Sequence, residues 1–156
     1  SILYSPYGQA ELEQAREMLA SIGGQELIGR SYASLSQGEK QLLLIARSLM
    51  EKTELLILDE ATSGLDLFAR ERLLDQIGKI TQMNQAPTIL YVTHHVEEIT
   101  EAMDHVLLLK EGEIIAQGPK EDILQKEVMD RFYPQPVELI ELGEGRYFVK
   151  VEVRSS

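Results

Sequence analysis

The chain has 156 residues, with 44% hydrophobic, 26% charged and 6% aromatic side chains. That balance fits one folded domain with a real core and excludes a disordered tail, a collagen-like repeat and a disulfide-stapled miniprotein. Fifteen Lys and Arg against 26 Asp and Glu give a net charge of −11, which opposes broad binding to nucleic-acid phosphates, and the absence of cysteine removes disulfides, thiolate zinc sites and cysteine nucleophiles.

Residues from about Gln9 to Ile22 read as a helix, with Leu12, Ala15, Met18, Leu19 and Ile22 at helical spacing and Gly23-Gly24 as its stop. A loop through Gly29 leads to Leu35-Ser36-Gln37-Gly38-Glu39. A second helix then runs to about Met50 and buries Leu42, Leu43, Ile45, Ala46 and Leu49. Leu55 to Leu58 is a continuous apolar run ending in Asp59-Glu60, the pattern of a parallel-sheet strand buried on both faces. An amphipathic helix follows from about Leu67 to Met83, with Leu73, Leu74, Ile77 and Ile80 inward. Thr88 to Thr93 reads as another buried strand. Strand, helix and strand make a βαβ unit with a right-handed crossover.

Beyond it, the pattern predicts a short helix over Val96 to Ala102 and a hairpin of His105–Leu109 and Glu113–Gln117 around Glu111-Gly112. A helix from Pro119 to Lys126 comes next. Pro134 and Pro136 then break the chain. The tail from Val137 to Val153 alternates like a half-buried hairpin, turning near Gly143-Glu144-Gly145. The longest apolar runs, such as Leu42–Ala46, fall far short of a membrane span, and no charged-then-apolar leader opens the chain, so a soluble intracellular protein is expected.

Three constellations can carry chemistry. Ser36-Gln37-Gly38-Glu39 is a capping box, and capping alone accounts for it. A helix N-terminus with a glycine is equally a place where a phosphate can sit. Asp59 and Glu60 end a buried strand, where ligands bind in open α/β sheets. Asp59 could hold Mg²⁺ and Glu60 could polarise a water for attack on phosphorus. The plain alternative is a strand end dipping into solvent. Thr93-His94 ends the next strand, where an imidazole could bond a terminal phosphate; a surface histidine is the alternative. A metal site at His94-His95 with Glu97-Glu98 is disfavoured, because adjacent side chains diverge and no third ligand is suitably spaced.

Taken in order, LSQGE at 35–39, LLILDE at 55–60, SGLD at 63–66 and TH at 93–94 resemble the ATP-binding cassette (ABC) ATPases. The resemblance runs roughly from Gly8 to Leu124 and includes the glycine turns at Glu111-Gly112 and Gln117-Gly118. It implies an α/β fold, a partial P-loop NTPase (RecA-like) parallel sheet with part of the helical signature subdomain and a C-terminal β-hairpin. The implied division is 1–133 for the cassette portion, with 1–51 helical and 52–133 core, and 134–156 for a hairpin extension.

By the same resemblance, Ser36, Gln37, Gly38 and Glu39 form the signature that contacts the γ-phosphate of ATP held by an opposite subunit. Asp59 is the magnesium-side carboxylate, Glu60 the catalytic base or water-orienting residue, Asp66 the D-loop aspartate at a dimer interface and His94 the switch histidine. ATP and Mg²⁺ are the implied cofactors. A second ATPase subunit in a head-to-tail dimer and transmembrane permease subunits are the implied partners, on the cytoplasmic face of a membrane. Gln37 and Glu39 depart from the commonest signature, which has Gly and Gln there, and His95 stands where many members have Asp.

No GxxxxGK[ST] loop occurs in these residues. Gly78-Lys79 comes nearest, but Ile80 follows, Leu73 takes the first-glycine position and the site falls mid-helix. The reading is a C-terminal portion of a cassette. Alone it is expected to bind Mg-ATP weakly or not at all, not to hydrolyse it, and to expose an unpaired sheet edge and bare apolar faces. Transport of a substrate through a membrane partner is the leading function. A ribosome- or DNA-associated ABC ATPase and a non-catalytic interaction module are the alternatives, and the lack of sustained heptads before residue 35 argues against the DNA-repair type.

Overall fold

The computed structural model describes residues 8–152. The expected end of the tail at Val153 lies outside them. The chain divides between Thr93 and His94 into two compact units.

In the first unit, α1 (Gln9–Ser21) ends where the sequence places its stop. The amides of Gly23 and Gly24 turn back onto the carbonyls of Ala20 and Leu19 at 3.1 and 2.7 Å, with Gly23 at φ 76°. That left-handed turn is where glycine carries no Cβ penalty. α2 (Gln37–Met50) buries Leu42, Ile45, Ala46 and Leu49, and α3 (Leu67–Thr81) buries Leu73, Leu74, Ile77 and Ile80. β1 (Leu55–Asp59) and β2 (Thr88–Val92) pair in parallel, from Leu55 opposite Thr88 to Asp59 opposite Val92. α3 is therefore the crossover of a βαβ unit.

One expectation fails here. The apolar run of β1 is buried on a single face. Leu56 and Leu58 join the helices in one core with Ile89 and Tyr91, whereas Ile57 is 57% and Leu90 50% exposed on the other face. Continuous apolar character encodes two-sided burial, but the described residues of this unit supply one helical layer, so the second face of this sheet stays bare. Leu55, Val92 and Asp59 stand on that same face.

In the second unit, β3 (His105–Lys110) and β4 (Glu113–Pro119) form an antiparallel hairpin with a register shift after Leu108. α4 (Lys120–Ile123) and α5 (Lys126–Phe132) lead to a second antiparallel hairpin, β5 (Val137–Gly143) and β6 (Arg146–Val151). Ile99, Leu108, Ile123, Leu124, Met129 and Val137 form its core, with Leu139, Tyr147 and Val149 packed against them.

Two helical expectations are corrected. Val96 to Ala102 is a single 3₁₀ turn over Val96–Glu98, because the backbone is already extended at Ile99 (φ −71°, ψ 114°) and carries that side chain into the core. The helix expected from Pro119 to Lys126 is two short ones. Leu124 (ψ 61°) and Gln125 (ψ 146°) leave the helical region, which buries both Ile123 and Leu124 before α5 begins.

Candidate functional site

The capping box is formed. Glu39 N–H donates to Ser36 Oγ at 3.3 Å, and Ser36 N–H donates to Glu39 Oε2 at 2.7 Å. A hydroxyl has one proton and two lone pairs, so an Oγ that accepts from the helix keeps its proton to donate outward. By their position, the amides of Gln37 and Gly38 have no acceptor within α2. Together with the positive end of the helix dipole, they make this terminus complementary to an anion.

Glu39 would oppose that anion, but Arg30 pairs with it. Nη1 lies 2.6 Å from Oε1 and Nη2 lies 3.2 Å from Oε2, while Nη2 also donates to the Ser34 carbonyl at 3.1 Å. The Arg30 hydrogen bond, and after it the Ser36 amide, hold the Glu39 carboxyl below the usual carboxylate range.

Gly38 has a distinctive environment. A Cβ built there would meet Leu65 and Ala69 side-chain carbons at 3.6–3.7 Å, which is ordinary contact. Packing within the unit therefore tolerates alanine at this position. Gln37 does not present its side chain to the anion position. Its Nε2 donates to the Ser63 carbonyl at 3.0 Å, which ties the start of α2 to the turn after β1.

That turn begins at the paired carboxylates. Asp59 ends β1 opposite Val92, and Glu60 N–H donates to the Val92 carbonyl at 2.9 Å. Glu60 sits at φ 45°, a left-handed conformation that costs a non-glycine residue about 1–2 kcal/mol and turns the chain out of the sheet. Ser63 N–H returns to the Glu60 carbonyl at 2.9 Å and Leu65 N–H to the Thr62 carbonyl at 3.1 Å. Gly64 takes φ 75°, and Asp66 caps α3 by accepting from Ala69 N–H at 2.9 Å. Thr62 Oγ1 and the Tyr91 hydroxyl lie 3.2 Å apart, which fastens the turn to β2.

The fold of the first unit thus brings Ser36, Gln37, Gly38 and Glu39 alongside the 60–66 turn. A hollow of about 240 Å³ lies between α2 and α3, lined by Ser36, Gly38, Glu39, Asp66 and Ala69 among others, with Asp59 and Glu60 outside it. His94 follows β2 by two residues, opens the second unit and is exposed. His95 Nδ1 lies 3.5 Å from Glu97 Oε1.

Both Asp59 and Glu60 are solvent-exposed. Magnesium keeps several waters and takes one or two carboxylates besides substrate phosphates, so this donor chemistry fits it. Among the described residues, no group of three or more His, Asp or Glu forms a self-contained metal site. No helix among the described residues is long and apolar enough to cross a membrane. Sequence reasoning missed Arg30, Tyr91 and the Gln37–Ser63 link. Arg30 lies in an irregular loop nine residues before Glu39, where no periodicity flags a partner.

Comparison with known proteins finds clear relatives. The profile of the family described as ABC transporter matches residues 5–63. A Streptococcus mutans protein named as an ABC transporter ATP-binding protein is 63% identical over 153 residues, covering 98% of this chain and 59% of the relative. The Lactococcus lactis ABC transporter ATP-binding protein YmeB is 55% identical over 149 residues, covering 96% of this chain and 57% of that protein. The chain therefore spans somewhat under three fifths of the length of these relatives. Among solved structures, a transporter assigned to the metal-chelate ABC type, in an inward-facing conformation, superposes with a TM-score of 0.77 at 25% identity, over 97% of this chain and 62% of that one. From its ordered motifs, its parallel βαβ unit and these relatives, the chain is homologous to part of the ABC transporter ATP-binding proteins.

Proposed function

We propose that the protein containing this chain hydrolyses Mg-ATP as the motor subunit of an ABC transporter, on the cytoplasmic face of a membrane and in contact with permease subunits. The observation that carries this reading is the link between the capped α2 terminus and the turn that follows Asp59 and Glu60, made by the Gln37–Ser63 hydrogen bond. An anion-complementary surface and a pair of exposed carboxylates are the two parts that each subunit of a head-to-tail pair would contribute to two composite sites of phosphoryl transfer to water.

In this reading the Ser36 hydroxyl and the amides of Gln37 and Gly38 meet the terminal phosphate of ATP held by a second, head-to-tail subunit. Arg30 keeps Glu39 compensated while they do so. Asp66 lies at the boundary with that subunit. Mg²⁺ held through Asp59 supplies neutralisation of phosphate charge. Glu60 orients the attacking water and takes its proton, and His94 hydrogen-bonds the phosphoryl oxygens in transit. Two composite sites that close on ATP and reopen after hydrolysis convert nucleotide binding into a population shift of the dimer.

The test is phosphate release by the purified full-length protein. Wild type is expected to turn over Mg-ATP, and Glu60→Gln to lower turnover about 100-fold or more while nucleotide still binds. Undetectable turnover by wild type, or an unimpaired Glu60→Gln, overturns the reading.

A further inference from the structure

The segment that follows His94 and His95 is weak by itself. Its regular structure is one 3₁₀ turn, Val96–Glu98, and an isolated turn of this kind has poor hydrogen-bond geometry and little stability. Its conformation is set by what packs against it, and within the second unit that is the C-terminal hairpin and the start of α4. Arg146, the first residue of β6, donates from Nη2 to the Glu97 carbonyl at 2.6 Å, across 49 residues of sequence. Lys120 donates from Nζ to the Thr100 carbonyl at 3.0 Å. Gly145, in the β5–β6 turn at φ 67°, brings the hairpin so close that a Cβ there would lie 3.5 Å from Glu101 Cα and 3.0 Å from Lys120 Nζ.

Apolar packing reinforces these contacts. Ile99 is buried in the second core, and Val96, Tyr147 and Val149 are among the side chains packed against that core. Glu98, the residue before Ile99, is only 2% exposed. A hairpin that merely trailed from the domain would present its turn and its first strand residue to water. Here Gly145 and Arg146 are half-buried and lie against the backbone at Glu101 and Glu97.

We propose that the C-terminal hairpin is a brace for the segment after the switch histidine, and that Arg146 is a positioning residue. Its guanidinium fixes the Glu97 backbone and thereby limits where His94, three residues upstream, can stand. The hairpin then serves the reaction without touching nucleotide. The catalytic half of this inference rests on the role given to His94 above; the brace itself does not.

The experiment compares wild type, Arg146→Ala, Arg146→Lys and Gly145→Ala in the full-length protein, by amide hydrogen exchange and ATP kinetics. Arg146→Ala is expected to speed exchange over residues 94–101 by about tenfold, the equivalent of one part-buried hydrogen bond, with the first unit unaffected. It should lower kcat severalfold with KM for ATP little changed. Arg146→Lys, whose ammonium still donates to the Glu97 carbonyl, should recover most of both. Gly145→Ala, which crowds Glu101 from the turn, should raise exchange over the same residues and serves if Arg146→Ala does not fold. Wild-type exchange over 94–101 in the variants, a lysine variant no better than alanine, or a kcat loss explained by global destabilisation overturns the proposal. If wild type shows no turnover, or Glu60→Gln leaves it intact, the ATPase reading fails instead, while the exchange result still decides the brace.

Discussion

Removing Arg30 isolates the device that lets an acidic residue stand at the α2 N-terminus proposed to meet an anion. Arg30 makes a two-point contact with Glu39, at 2.6 and 3.2 Å, and a further bond to the Ser34 carbonyl at 3.1 Å. The arginine side chain is 38% and the glutamate side chain 20% exposed, so solvent screens part of the attraction. A pair of this kind contributes about 0.5–1 kcal/mol and the carbonyl bond about 0.5–1 kcal/mol more. Arg30→Ala should therefore destabilise the full-length protein by about 1–2 kcal/mol at pH 7, read from the urea midpoint. A double-mutant cycle with Glu39→Gln isolates the pair.

The pH dependence gives the sharper test. Glu39 is depressed in the folded state, first by the Arg30 hydrogen bond and then by the Ser36 amide. A depressed carboxyl stabilises the fold above its unfolded pKa of 4.5 and loses that contribution as pH falls through the lower folded value. The coupling energy should be constant from neutral pH down to about pH 5 and shrink below that. A coupling near zero at pH 7, or one that persists undiminished at about pH 3, would refute the electrostatic argument.

Further outcomes follow from the same geometry. Gly38→Ala should leave stability unchanged or raise it by up to about 1 kcal/mol, since alanine fits and favours the helix, while turnover by the full-length protein falls. A large loss of stability, measured by urea denaturation, would show that packing rather than close approach requires this glycine. Gly64→Ala should cost about 1–2 kcal/mol in the same assay, because its φ of 75° is left-handed and the new methyl approaches the Gln37 amide. The 156-residue chain by itself should self-associate through the bare sheet face of Leu55, Ile57, Leu90 and Val92. Sedimentation of a heat-resistant monomer would contradict that, and Ile57→Lys should shift an associated population toward monomer.

Much of the local structure was legible because it is written as periodicity. The 3.6-residue spacing of Leu42, Ile45, Ala46 and Leu49 gives α2, and that of Leu73, Leu74, Ile77 and Ile80 gives α3. The Ser36–Glu39 box marked where α2 begins, and Gly143-Glu144-Gly145 marked the last hairpin. The failures were of another kind. The apolar run of β1 could not say whether a second layer covers it. The stretch from Pro119 to Lys126 could not say that burying Ile123 and Leu124 breaks the helix between them.

The order of LSQGE, LLILDE, SGLD and TH pointed to the family, and the apolar runs at 55–58 and 88–93 around an amphipathic helix gave the parallel βαβ arrangement, since those signals reside in residue identity and short-range spacing. Only the tertiary structure decided that Arg30 neutralises Glu39, that Gln37 turns to Ser63, and that Arg146 reaches Glu97. Such contacts join groups 9, 26 and 49 residues apart. A partner at that separation leaves no period in the sequence, because its place is fixed by how whole elements pack.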